Sequence, residues 1–181
     1  PIPIELSSGK KEAKNLRAKG IENLEKKNFN SAFYYFNKSK IAFENLKDSA
    51  NVAYNLIQMA NIQQINGDYY GSKETLTESL PFVKNDNNFK SAINNFFGIA
   101  DKELSLYEDA IYYYNQALKD SENEILKQSP LNNIAVIYIE QKKYDKAIEY
   151  YLRGQQLAAK FENIKNVAIS ENSLGNIYDL K

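Results

Sequence analysis

The stretch Lys142-Lys143-Tyr144-Asp145-Lys146-Ala147 sets an aromatic residue three places before a small one, at a turn between two segments with helical apolar spacing. Three other stretches repeat it: Lys27-Asn28-Phe29-Asn30-Ser31-Ala32, Gly67-Asp68-Tyr69-Tyr70-Gly71-Ser72 and Ser105-Leu106-Tyr107-Glu108-Asp109-Ala110. Twelve positions before each turn's small residue stands a second one: Gly20, Ala60, Gly98 and Ala135. Two small residues at that spacing, one on each side of a tight turn, let antiparallel helices approach closely while the aromatic fills the corner. The spacing predicts a series of helical hairpins, an architecture whose usual use is as a binding surface.

The fourth hairpin carries Leu131, Ile134, Ala135, Tyr138, Tyr144, Ala147 and Tyr151, and the third Phe97, Gly98, Tyr107, Ala110, Tyr114 and Ala117. At these places the chain resembles the tetratricopeptide repeat family over almost its whole length. The first two units depart from the pattern, with Lys19 and Asn23 for apolar or aromatic residues and Ser72 and Ser79 for alanines. From Gly20 the steps to Ala60, Gly98, Ala135 and Gly175 are 40, 38, 37 and 40 residues. The common unit is roughly 34 residues, so the helices are expected to be longer by about a turn. The resemblance implies an all-α fold, a right-handed superhelical solenoid of antiparallel helix pairs. Long repeats of this kind are similar to those of bacterial tetratricopeptide regulators and sensor domains.

Pro1-Ile2-Pro3-Ile4 predicts an extended arm over residues 1–9, because proline fixes its own φ and restricts the residue before it. Residues 10–181 are expected to form one domain of four hairpins plus the first helix of a fifth. Helices are expected at roughly 10–27, 30–47, 50–66, 69–84, 88–104, 107–121, 127–142, 144–161 and 164–180. Pro81 should kink or end the fourth, whereas Pro130 sits where a first helical turn tolerates it. Asn85-Asp86-Asn87-Asn88 reads as a turn with a helix cap. It lacks the glycine and glutamate of a calcium loop. The chain starts at Pro1 rather than methionine and breaks off at Lys181 within the fifth unit, so a fragment of a longer protein is expected.

Lys plus Arg and Asp plus Glu both number 23, which argues against a nucleic-acid footprint or an anionic membrane as partner. No stretch reaches the ~20 apolar residues of a membrane span. Without histidine or cysteine, the Ser-His-Asp and Cys-His arrangements, disulfides and the usual zinc sites are excluded. A cysteine-free chain suits the cytoplasm and the periplasm alike. The carboxylate pairs Glu22 and Glu25, and Glu122 and Glu124, read as solvated surface. The seven glycines form no phosphate-cradling loop. Tyr112-Tyr113-Tyr114 and Tyr150-Tyr151 read as repeat core and surface rather than a base-stacking platform, which would come with a positive groove. No cofactor, no metal and no enzymatic activity are expected.

In the family, the first helix of each hairpin lines the concave face. Carried over residue by residue, its groove places fall on Tyr54, Ile57, Gln58 and Asn61, on Asn95, Phe96 and Ile99, on Asn132, Asn133 and Val136, and on Asn172 and Asn176. Asn95, Asn132 and Asn172 occupy one place in successive units, an amide ladder able to pair with the backbone of an extended peptide. Asparagine is also frequent elsewhere, as in Asn87-Asn88 and Asn94-Asn95, and compositional bias alone would produce the same coincidence. Arg17, Ile21, Gln58, Ala92 and Phe96 stand where family members that clamp a terminal carboxylate use Lys, Arg and Asn, which argues against that clamp. The leading reading is a non-enzymatic module holding a protein or peptide segment in the groove. The alternatives are a sensory input domain of a larger signalling or transcription regulator, and an assembly scaffold whose unpaired final helix docks on a neighbouring copy.

Overall fold

The computed structural model describes residues 4–161 and Gly175, with side chains from Ser8 onward. Along them run α1 (Ile4–Glu25), α2 (Phe29–Asn45), α3 (Ser49–Ile65), α4 (Tyr69–Ser79), α5 (Asn87–Glu103), α6 (Tyr107–Asp120), α7 (Gln128–Glu140) and α8 (Tyr144–Lys160). Leu80–Phe82 and Glu124–Lys127 are 3-10 turns, and no strand occurs among the described residues. The fold is all-α, as expected, and the helix expected at 164–180 lies outside the described residues.

Two boundaries differ from expectation. Because α1 starts at Ile4, residues 4–9 are helix rather than extended arm. The constraint of Pro3 falls on itself and on the residue before it, and nothing in it acts on those that follow. The helix expected to reach residue 84 stops at Ser79 and passes into the 3-10 turn holding Pro81, whose missing N–H cannot extend the ladder. Asp86 caps α5 as expected, its carboxylate accepting from the Phe89 N–H at 3.0 Å.

One turn geometry closes five of the helices. After α1, the Lys27 N–H donates to the Leu24 carbonyl at 3.0 Å and the Asn28 N–H to the Asn23 carbonyl at 2.8 Å. The same pair of bonds follows α2, α3, α5 and α7. This Schellman arrangement needs a left-handed residue just past the helix. The residues that supply it are Lys27 (φ 60°), Lys47 (φ 54°), Gly67 (φ 78°), Ser105 (φ 61°) and Lys142 (φ 57°). In four of these turns the next helix opens on the repeat aromatic: Phe29, Tyr69, Tyr107 or Tyr144. Left-handed φ strains a side chain with a Cβ by about 1–2 kcal/mol and glycine hardly at all. After glycine's greater unfolded-state entropy, Lys27→Gly and Lys142→Gly should each stabilise by about 0.5–1 kcal/mol. Gly67→Ala should cost about 1 kcal/mol. Urea denaturation midpoints at constant m check both signs.

The described helices divide between two compact units, with the boundary between Phe89 and Lys90. In the first, a Cβ added to Gly20 would stand 2.9 Å from the Phe36 ring, so the aromatic lies directly on bare backbone. Phe36 is fully buried with Ala32, Met59 and Ile62. A neighbouring cluster gathers Ala13, Phe43, Val52 and Leu56. Where α1 and α2 cross, the buried Ser39 hydroxyl donates to the Ala13 carbonyl at 3.0 Å and accepts from the Asn55 amide of α3 at 3.1 Å.

The second unit repeats the device in mirror. A Cβ at Gly98 would lie 2.5 Å from the Tyr114 ring, and the crossing of α5 and α6 is bridged by Ser91, whose hydroxyl donates to the Ala117 carbonyl at 2.9 Å. Tyr114 is buried with Ala110, Ile134 and Ile137, and its hydroxyl has no hydrogen-bond partner among the described residues. Burial, then the charges of Glu103 and Asp101, pushes this phenol above its ordinary 10.0. A folded-state pKa raised above the unfolded one gives stability that is full below about pH 10 and is lost as pH rises further. Tyr114→Phe should therefore leave the protein equally stable or up to about 1 kcal/mol more stable at pH 7, since it removes an unpaired buried hydroxyl. Relative to wild type, its stability should fall less between pH 9 and pH 11, as thermal melts across about that range would show.

Candidate functional site

In the second unit the first helices of the two hairpins, α5 and α7, are joined through one amide. The Asn95 side chain donates from Nδ2 to the Ser129 hydroxyl at 3.3 Å, and its Oδ1 accepts from Asn133 Nδ2 at 3.3 Å. Beside this bridge opens a cleft of about 300 Å³. Ser91, Ala92, Asn95 and Phe96 of α5 form one wall, Gln128 and Ser129 of α7 the other, and Ile125 and Leu126 of the 3-10 turn the end. Ile125 is 44% and Leu126 39% exposed, so this end leaves apolar surface in water. Among the described residues no ionisable side chain lines the cleft. It can present amides, hydroxyls and apolar surface to a ligand.

The amide ladder takes a different register from the expected one. Asn95 meets Asn133, whereas Asn132 turns toward α8, its Oδ1 2.7 Å from where a Cβ on Gly154 would stand. That Oδ1 is buried and has no hydrogen-bond partner among the described residues. Packed helices cross at an angle with ridges set into grooves, so places equivalent in the repeat are not the ones that touch across adjacent helices. Asn94, one position before Asn95, likewise points within its own hairpin and donates to Asp120 at 2.9 Å. Ile99 and Val136 are partly buried and pack on the Tyr114 and Tyr151 clusters. Asn172 and Asn176 lie outside the described residues.

In the first unit, the groove places on α3 are largely used internally. Tyr54 packs against the Phe36 cluster and carries the Arg17 guanidinium of α1 over its ring at 5.2 Å. Arg17 also donates to the Asn51 side chain. Ile57 is 5% exposed and presents almost no surface, while Gln58 and Asn61 are half-buried. The sequence places Ala92 only among the positions of the absent carboxylate clamp and leaves out Ser129, although both occupy the repeat place of Tyr54 and follow from the same register. It also missed Ile125 and Leu126, which lie between hairpins, where the repeat carries no signal.

Of the carboxylates read as solvated surface, Glu22, Glu25 and Glu122 are exposed and Glu124 is half-buried. Glu22 accepts from Lys26 at 2.6 Å, a bond that holds its carboxyl below the usual value. No group of three or more acidic side chains among the described residues could hold a metal ion. No described helix is long and apolar enough to cross a membrane.

A family model described as tetratricopeptide repeat matches residues 130–161, the α7–α8 hairpin. The photosystem I assembly protein Ycf3 of Prochlorococcus marinus subsp. pastoris is 30% identical over 106 residues, 59% of this chain and 57% of that protein. Ycf3 of Prochlorococcus marinus strain MIT 9301 is 29% identical over the same length. The chain thus spans little more than half the length of the curated relatives it matches. Among solved structures, the apo form of RapI superposes with a TM-score of 0.81 at 18% identity, covering 93% of this chain and 63% of RapI. BtubC from P. vanneervenii gives 0.67 at 19% identity over 90% and 65%. MamA gives 0.59 at 19% over 92% and 81%. At these identities the likeness shows the fold alone, that of tetratricopeptide solenoids.

Proposed function

We propose that the chain works without catalysis by holding an extended segment of a partner protein along α5 and α7, a reading supported by the tetratricopeptide match over residues 130–161 and by the solenoid fold of its structural neighbours. The observation that carries this reading is the Asn95 bridge beside a cleft without charge. An amide has four hydrogen-bonding positions, and Asn95 uses two of them on Ser129 and Asn133. One N–H and one lone pair remain for the backbone of a bound strand, irrespective of its side chains. Their two internal bonds also fix the amide before a ligand arrives, which lowers the ordering cost of binding. The cleft beside it suits an uncharged apolar side chain, since a charge would lose its hydration there without a counter-ion.

The test uses peptides recovered from a display library by the wild-type protein. Asn95→Ala combined with Asn133→Ala should weaken them about tenfold, the equivalent of one to two net hydrogen bonds. Circular dichroism should stay unchanged. Full affinity in the folded double variant would remove α5 and α7 from the reading.

The Ycf3 relatives favour a second reading. They are described as assembly proteins, and this chain would then bring components of a complex together, itself included. Light scattering at high protein concentration should show mass above the monomer; a monomer throughout would count against self-assembly.

A further inference from the structure

The second unit holds another opening, on the side of α8 that faces α6. Tyr150 of α8 packs against the Ala110–Tyr114 cluster, and Arg153, Leu157 and Lys160 follow it at helical spacing. Beyond Tyr150 the helices part into a cleft of about 470 Å³, within the roughly 300–1,000 Å³ of typical ligand sites. Its floor is leucine, from Leu118, Leu131 and Leu157, and its rim carries Lys127, Arg153 and Lys160. Among the described residues a single carboxylate, Glu124, faces these three cations, taking a hydrogen bond from Lys160 at 2.8 Å and lying 3.9 Å from Lys127. Arg153 stacks over the Tyr150 ring at 5.1 Å and makes no ion pair among the described residues. In a chain whose formal charges cancel, this is a local excess of positive charge over an apolar floor.

We propose that this cleft is a binding site for an acidic segment of a partner protein, which lays an apolar side chain on the leucine floor and its carboxylates on Arg153 and the two lysines. Charge complementarity selects the occupant: a basic segment would meet three cations, and a neutral one would leave Arg153 without a counter-ion. Exposed ion pairs contribute little each, so the floor supplies the grip and the rim the choice of partner. Glu124 acts as an internal competitor, occupying both lysines until an incoming carboxylate displaces it. The site is separate from the uncharged cleft of α5 and α7, and the two share no lining residue.

Fluorescence anisotropy with the full chain tests this at about 0.01 M ionic strength, where charges act over about 30 Å. The probes are fluorescein-labelled octapeptides with four carboxylates around a central leucine or phenylalanine, and matched peptides with lysine for each acid or serine for the apolar residue. The acidic peptides should bind, the lysine peptides should not, and serine at the centre should weaken binding about tenfold. Lys127→Glu with Arg153→Glu should abolish binding. Glu124→Gln should strengthen it several-fold, a gain that no loss of folding can imitate. Absence of binding by every acidic peptide, or equal binding to the charge-reversed variant, would overturn the proposal. Loss of binding in the Asn95→Ala and Asn133→Ala variant would move the peptide to the other cleft, with the same result. Displacement by octanoate as effective as by unlabelled peptide would assign the site to small anionic amphiphiles instead.

Discussion

Phe36 and Tyr114 rest on the bare backbone of Gly20 and Gly98, and each hairpin that holds such a contact depends on it. With a Cβ in place, atoms would stand at 2.9 and 2.5 Å, inside van der Waals contact. The two helices of the hairpin would then have to separate. Separation would open the serine bridges a few turns away, because a hydroxyl reaches a carbonyl only over about 3 Å. It would also pull the turn aromatics from their corners. Close approach, hydroxyl bridge and turn therefore stand or fall together within a hairpin.

The parts of the fold legible in the sequence are those in which one residue type does one local job. A small residue twelve places from another, with an aromatic between, specifies an antiparallel pair without knowledge of anything distant. That is why Gly98, Tyr107 and Ala110 announce α5 and α6 directly. The turn after α2 shows the limit. Leu46-Lys47-Asp48 adopts the same two hydrogen bonds as the aromatic turns, yet Ser49 follows where an aromatic would signal it. Lysine has no preference for the left-handed region that Lys47 occupies, so nothing in its identity advertises the conformation.

The repeat register assigns Asn95, Asn132 and Asn133 to first helices, and they stand on α5 and α7, but it does not say which amides pair. Which two amides meet depends on how α5 and α7 cross, a relation between elements far apart in sequence. The outcome moved one residue along the helix, about 100° around its axis, enough to send Asn132 toward Gly154 and Asn133 toward Asn95. Ile125 and Leu126 escaped for another reason: the residues between hairpins obey no periodic rule, and a 3-10 turn there brings them to the end of the cleft.

The serine bridges place their donor on opposite members of the pair, on α2 in one hairpin and on α5 in the other. Combining α1 with α6 would set Ala13 against Ala117, with no hydroxyl to reach across. Combining α5 with α2 would crowd two hydroxyls, Ser91 and Ser39, into one crossing. The helices are thus matched in couples, so gene shuffling that breaks between hairpins preserves both serine–carbonyl bridges, while a break inside one of these two hairpins spoils its bridge. The inheritable module of this architecture is the couple, not the single helix.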